Sequence, residues 1–307
     1  MKRYIIVIVI FILILSFSTV NDSVQEVEWN DFIWADNTIG GKHYDKAAIL
    51  IPFKINGIEE IYHLQLDTGA SSVLYGNSLY NIVPGYGAKT TRASISGTMS
   101  NYEFTYNSFR ILQDYGVTSE ELKSSEYKLI GSLGLDFFKN KILVINFPEQ
   151  KFAIFNSRKS IPQNIKGEDN LLDMKYRNNK IYLKSKIGNE KLSLIYDTGS
   201  SIFDIVTTKE IWTNLTNSKN DEDIRSLEIY SWGDMITIKG ARSDYDWEIG
   251  DIIVENPFIF YEPSGLKNFN FKSIKSDGLL GNAIFYDNHI ITINLINKEF
   301  RIMEVRP

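Results

Sequence analysis

The chain is 307 residues long, 43% apolar, 13% aromatic and 23% charged, and carries a formal net charge of −5. That balance supports a sizeable hydrophobic core and excludes a disordered chain, and the acidic charge argues against a nucleic-acid partner. The lack of cysteine excludes disulfides and a thiol nucleophile, and at this length one large domain or two ordinary ones are both allowed.

In residues 1–18, Lys2 and Arg3 precede an uninterrupted apolar run over 5–15, and Ser16 and Ser18 follow it. This is the layout of an export signal to an extracytoplasmic compartment, periplasmic or secreted. It is either cleaved or kept as a membrane anchor through residues 4–20, the run being shorter than the roughly 20 residues of a usual spanning helix. Residues 19–44 form an acidic N-terminal extension whose Trp29 and Trp34 are expected to pack on a lobe surface. Alternating apolar and β-branched runs follow at 47–53, 61–66, 143–147, 181–186, 192–196, 252–254 and 290–295, with turn pairs at Asn56-Gly57 and Gly188-Asn189. They predict a mostly β protein, with short helices near 119–123 and 208–212. His43, His63 and His289 stand far apart at no metal-ligand spacing, so each reads as structural and neither a metal nor a cofactor is expected.

Three landmarks recur in the same order along the chain. An apolar run ends in Asp-Thr-Gly twice, as LQLDTGASSVL at 64–74 and LIYDTGSSIFDIV at 194–206. A Gly-x-Leu-Gly turn appears as Gly131-Ser132-Leu133-Gly134 and again as Gly278-Leu279-Leu280-Gly281. A strand pair follows each turn, from Ile145-Asn146-Phe147 through Phe152 and from Ile293-Asn294-Leu295 through Phe300. The offsets are 130, 147 and 148 residues, so the length difference lies in one variable middle segment. The polar stretch 157–170, with Pro162 and Gly167, reads as the linker between two lobes at 45–156 and 171–307. With both half-sites in one chain, a monomer suffices.

A single Asp-Thr-Gly is an ordinary Gly-containing turn; two at matching places in a duplicated half point to a shared task. Splitting an amide with water and no metal needs one group that takes a proton from water and another that gives one to the substrate. Asp67 and Asp197, if close, do both, because two like charges cannot both ionise cheaply and the pair holds one proton between them. Gly69 and Gly199 let each loop approach its partner, and Thr68 and Thr198 offer hydroxyls to buried loop amides.

In these motifs the chain resembles the pepsin-like aspartic peptidases, over both lobes and nearly all of the chain after the signal. The resemblance implies a bilobal, mostly β fold of two homologous β-barrel-like lobes with a cleft between them. It implies an aspartic endopeptidase that holds an extended peptide or protein substrate in the cleft in the manner of an added strand. It assigns Asp67 and Asp197 as catalytic, Ser200 as the hydroxyl beside Asp197, and Thr68 and Thr198 as a hydrogen-bonded lock between the loops. The family's apolar-apolar-Gly turn behind each catalytic loop is matched by Leu279-Leu280-Gly281 and, with a serine in an apolar place, by Ser132-Leu133-Gly134.

Three features depart from the family pattern. Ala70 stands where a serine would bond the first aspartate, the retropepsin-like form of the motif, and the lost hydrogen bond predicts an optimum near pH 5 to 6. The flap, a hairpin that closes over substrate and carries a tyrosine in the family, is expected at 91–104 with its tip at Ser96, Gly97 and Thr98, and Tyr102 on the returning strand is the candidate tyrosine. Leu74 stands near the place of the tryptophan that supports it. The segment ahead of the first lobe is short and acidic where the family's inhibitory prosegment is longer and basic, so none of that type is expected. These departures leave a second reading open, a pepsin-like protein that has lost activity and serves as a peptide-binding or inhibitor protein. A purely structural envelope role would leave the paired triplets unexplained.

Overall fold

A computed structural model describes residues 27–80, 82–87, 89–166, 170–216, 223–265 and 269–305; the expected signal or anchor at 1–18 lies outside them. The alternating runs form strands because each buries one face. In Ile61–Leu66, for example, Tyr62, Leu64 and Leu66 are buried and the residues between them are not.

Six strands of the N-terminal lobe close into a barrel. Lys42–Ile55 pairs with Ile61–Leu66, and Ile61–Leu66 pairs in parallel with Leu129–Leu133. Leu129–Leu133 pairs with Val73–Tyr75, which runs parallel to Tyr102–Leu112. Arg92–Met99 follows and returns to Lys42–Ile55 through Thr98 and Gly97. The C-terminal lobe repeats the order with Lys180–Ile187, Glu190–Tyr196, Gly278–Leu280, Ile205–Thr207, Phe258–Tyr261 and Asp234–Arg242. Beyond these six, a short hairpin of Trp247–Ile249 and Ile252–Val254 pairs with Lys180–Ile187, and one more strand lies at the far edge. Arg225–Ser231 extends this sheet as a hairpin with Asp234–Arg242 and has no counterpart among the described strands of the first lobe.

A shared layer joins the lobes, in the order Asn30–Asp31, Lys151–Phe155, Ile142–Asn146, His289–Asn294, Glu299–Glu304 and Leu171–Arg177. Here the two copies of the third sequence landmark lie side by side. Val144 faces Thr292, the residue 148 positions further on and therefore its own repeat partner, so the axis relating the lobes passes between them.

Strand pairing begins at Asn30, ahead of the expected lobe start at residue 45: Asn30–Asp31 pairs with Lys151–Phe155 and Ile33–Ile39 with Lys42–Ile55. Trp34 stacks on Phe147 at 6.0 Å and meets Phe32 and Tyr286 edge-on. Phe147 stacks in turn on Phe285 at 6.2 Å. This aromatic column binds the lobes together in a chain without disulfides. Helices are short. Ser119–Ser124 starts at a Thr118–Glu121 capping box, and Lys209–Thr216 buries Trp212 and Leu215. No helix among the described residues is long and apolar enough to cross a membrane.

Candidate active site

Ile61–Leu66 and Glu190–Tyr196 each run directly into one Asp-Thr-Gly triplet. The backbone N–H of Asp67 donates to the Leu133 carbonyl and that of Asp197 to the Leu280 carbonyl, both at 2.9 Å. Both acceptors belong to the Gly-x-Leu-Gly motifs, which form the end of the strand Leu129–Leu133 and the whole of Gly278–Leu280 rather than the expected turns, so each of these strands holds one aspartate from behind. Between the loops the threonines exchange bonds. The Thr68 N–H donates to Thr198 Oγ1 at 2.9 Å and the Thr198 N–H to Thr68 Oγ1 at 3.0 Å. Each hydroxyl then donates across to the other strand, Thr68 to the Tyr196 carbonyl at 2.9 Å and Thr198 to the Leu66 carbonyl at 2.7 Å. Both threonines are fully buried, where a hydrogen bond is worth most and its loss costs most.

This lock brings the two aspartates together, each carboxyl group set against the glycine of the opposite loop. Glycine is required beside them. A Cβ on Gly69 would lie 2.4 Å from Asp197 Cγ and one on Gly199 would lie 2.9 Å from Asp67 Cγ, so a side chain at either place would force the carboxyl groups apart. Each carboxylate accepts the amide of its own glycine, at 3.0 Å for Asp67 and 2.9 Å for Asp197. Ser200 Oγ adds a bond to Asp197 Oδ2 at 2.9 Å, whereas Ala70 has nothing to offer Asp67. Asp67 keeps only 9% of its surface exposed and Asp197 keeps more, so the pair is largely desolvated yet reaches the surface.

Burial, and next the adjoining Asp197 carboxylate, hold Asp67 well above the usual carboxylate range. The Lys180 ammonium and the Gly69 amide pull the other way without reversing it. Lys180 begins the strand Lys180–Ile187 of the second lobe, and its Nζ donates to the Gly69 carbonyl of the first. Sequence reasoning passed over this residue, since a lysine after a turn carries no local mark of its destination. It also passed over a brace behind Asp67. Ser72 Oγ donates to Asp136 Oδ1 at 3.0 Å and accepts the Gly134 N–H at 3.0 Å, while the Tyr106 hydroxyl donates to Asp136 Oδ2 at 2.7 Å.

The hairpin expected to act as the flap is present, but its turn falls at Ser100 and Asn101, beyond the expected tip. Ser96, Gly97 and Thr98 lie inside Arg92–Met99, where Gly97 and Thr98 pair with Ile55 and Lys54. The register follows the alternation of buried Ala93, Ile95, Gly97 and Met99 rather than the Gly-Thr pair that marked the tip. The turn amides of Asn101 and Tyr102 donate to the Asn30 side chain at 3.1 Å each, and Tyr102 lies beneath the Lys141 ammonium. This end of the hairpin is therefore tied to the layer that joins the lobes.

No family model matches the chain, and no curated protein matches it in sequence. Among solved structures, the aspartic proteinase from Irpex lacteus is similar, at 11% identity and a TM-score of 0.52, with 91% of this chain and 98% of that one covered. At that identity the likeness concerns architecture: the chain has the bilobal β fold of the pepsin-like aspartic proteinases.

Proposed function

We propose that the chain is an aspartic endopeptidase, with Asp67 and Asp197 as its catalytic pair. The observation that carries this reading is the meeting of two carboxyl groups, one from each lobe and each set against the other loop's glycine, at the end of a mutual threonine lock. Two such groups share one proton, and the deeper burial of Asp67 makes it the bearer. Ser200 and Gly199 both donate to the Asp197 carboxyl group.

In the reaction the ionised carboxylate takes a proton from water, whose oxygen attacks the amide carbon, while the protonated carboxyl gives its proton to the carbonyl oxygen. Collapse of the resulting diol breaks the C–N bond. The leaving nitrogen receives the proton taken from water, the hydroxyl proton returns to the pair, and the dyad again holds one proton. Ala70, as in viral-type enzymes, withholds a hydroxyl from Asp67 and favours work at about pH 5 to 6. The export-signal layout of residues 1–18 supports an extracytoplasmic enzyme, with the segment cleaved or retained as an anchor. Its substrate is a peptide or protein, and the active form is a monomer.

The test is incubation of purified protein with a peptide library between about pH 3 and 8, with and without a statine-type inhibitor. Cleavage by wild type, blocked by the inhibitor and absent in Asp67→Asn, is expected. A wild type that binds such peptides without cutting them would establish the inactive binding protein instead.

A further inference from the structure

The second lobe carries one element that the first lacks, and that element reaches across to the first. Arg225–Ser231 and Asp234–Arg242 pair continuously from Arg225 with Gly240 to Ser231 with Asp234. Trp232 and Gly233 form the two-residue turn, both at positive φ, 50° and 99°, the twist that suits a tight hairpin. The base is firmly rooted. Asp234–Arg242 pairs with Phe258–Tyr261, and Leu227, Ile236 and Ile238 bury against Phe203, Val206 and Phe260. Phe203 follows Asp197 by six residues, so the base stands beside the second catalytic loop.

The outer end has a different character. Tyr230 and Met235, directly paired across the strands, are 66% and 65% exposed, and Trp232 at the tip is 42% exposed. Instead of burying on its own lobe, the tip ends at the other one. The Trp232 ring lies 6.3 Å from that of Tyr115, and Tyr115 packs edge-on at 4.7 Å against Tyr75, in the strand Val73–Tyr75 that follows the first catalytic loop. Nearer the base, Leu227 meets the Gly40 turn of the first lobe. The aromatic run Trp232, Tyr115, Tyr75 thus leads from the hairpin tip to the strand that follows the first catalytic loop. In the first lobe the residues described between 80 and 91 form no strand, and the Tyr86 hydroxyl there is engaged by both backbone groups of Ser94.

From this geometry we propose that the 225–242 hairpin of the C-terminal lobe covers the cleft, and that Trp232, with Tyr230 and Met235, selects apolar side chains in the peptide beneath it. The proposal takes its ligand, an extended peptide, from the peptidase reading of the dyad. Exposed apolar side chains recover about 25 cal/mol for each Å² a ligand covers, and aromatic anchors carry a disproportionate share of binding energy. Placing the cover on the second lobe also accounts for the longer middle segment of the second repeat.

The experiment measures binding apart from turnover. An apolar peptide and a variant with acidic replacements are titrated by calorimetry into full-length Asp67→Asn, with Trp232 intact, replaced by alanine or replaced by phenylalanine. Loss of the tryptophan is expected to weaken binding of the apolar peptide about tenfold, phenylalanine to restore most of it, and the acidic peptide to bind poorly throughout. In the active background, Trp232→Ala should raise KM by a similar factor and leave kcat within about twofold. Equal affinity for the apolar peptide with and without Trp232 overturns the cover, whatever the activity of the wild type. Binding that depends on Trp232 in a wild type that never cleaves upholds the cover and sinks the peptidase reading. Absence of binding in every form overturns both.

Discussion

The amides of Thr68 and Thr198 each donate to the hydroxyl of the other, residues 130 positions apart that sit at equivalent places in the two repeats. A valine at either position keeps the volume and removes the acceptor, leaving a buried N–H unpaired at a cost of about 1–3 kcal/mol. Thr68→Val and Thr198→Val should each lower the urea midpoint by a corresponding amount. If one variant unfolded like wild type, the two halves of the lock would not be equivalent.

Asp67 links stability to pH. Its folded-state pKa is raised, so the folded chain holds a proton that the unfolded chain releases near the ordinary carboxyl value of about 3.9. Stability therefore falls as pH rises from that value toward the raised one, and the loss is complete above it. Asp67→Asn removes the penalty. Thermal unfolding should show the variant more stable than wild type at about pH 7, with the advantage shrinking toward about pH 4, and the variant should not cleave. A destabilised variant at neutral pH would mean that Asp67 is ionised without penalty.

Lys180 and Ala70 act on the same carboxyl group from different sides. Lys180 favours the ionised form of Asp67, so Lys180→Met should let the pair keep its proton to higher pH and move the alkaline limb of kcat/KM upward. Ala70→Ser supplies the kind of hydroxyl that Ser200 gives Asp197, which favours ionisation of Asp67 and should move the alkaline limb downward. Limbs that stay in place in both variants would show that neither residue reaches the titrating pair.

His63 and His289 set a limit on acid tolerance. Burial lowers the pKa of each, and the Nδ1 atom of each lacks a hydrogen-bond partner among the described residues. The unfolded chain takes up these protons first, so stability is lost as pH falls below about 6.5. In the Asp67→Asn background, which lacks the opposing carboxyl contribution, the melting temperature should drop between about pH 7 and 5. His289→Phe, which keeps the edge contact with Phe285, should reduce that drop, and an unchanged drop would assign it to other groups.

The sequence by itself determined the β class, the duplication and the pair of triplets, because each leaves a local mark. Alternation writes the buried face of a strand into neighbouring residues, and a duplicated half writes its motifs twice. Even the axis between Val144 and Thr292 was implicit in the offset of 148 residues. Only the tertiary structure decided what joins residues without a shared local pattern. Lys180 meets Gly69 across 111 positions, Asn30 ties down a turn 71 positions away, and Trp232 finds Tyr115 in the other lobe. A Gly-Thr pair looked like a hairpin tip and lies in a strand, whereas a Trp-Gly pair without a usual turn signal makes the bend. Register and reach are settled by the packing of whole lobes, and a local window of sequence does not contain that information.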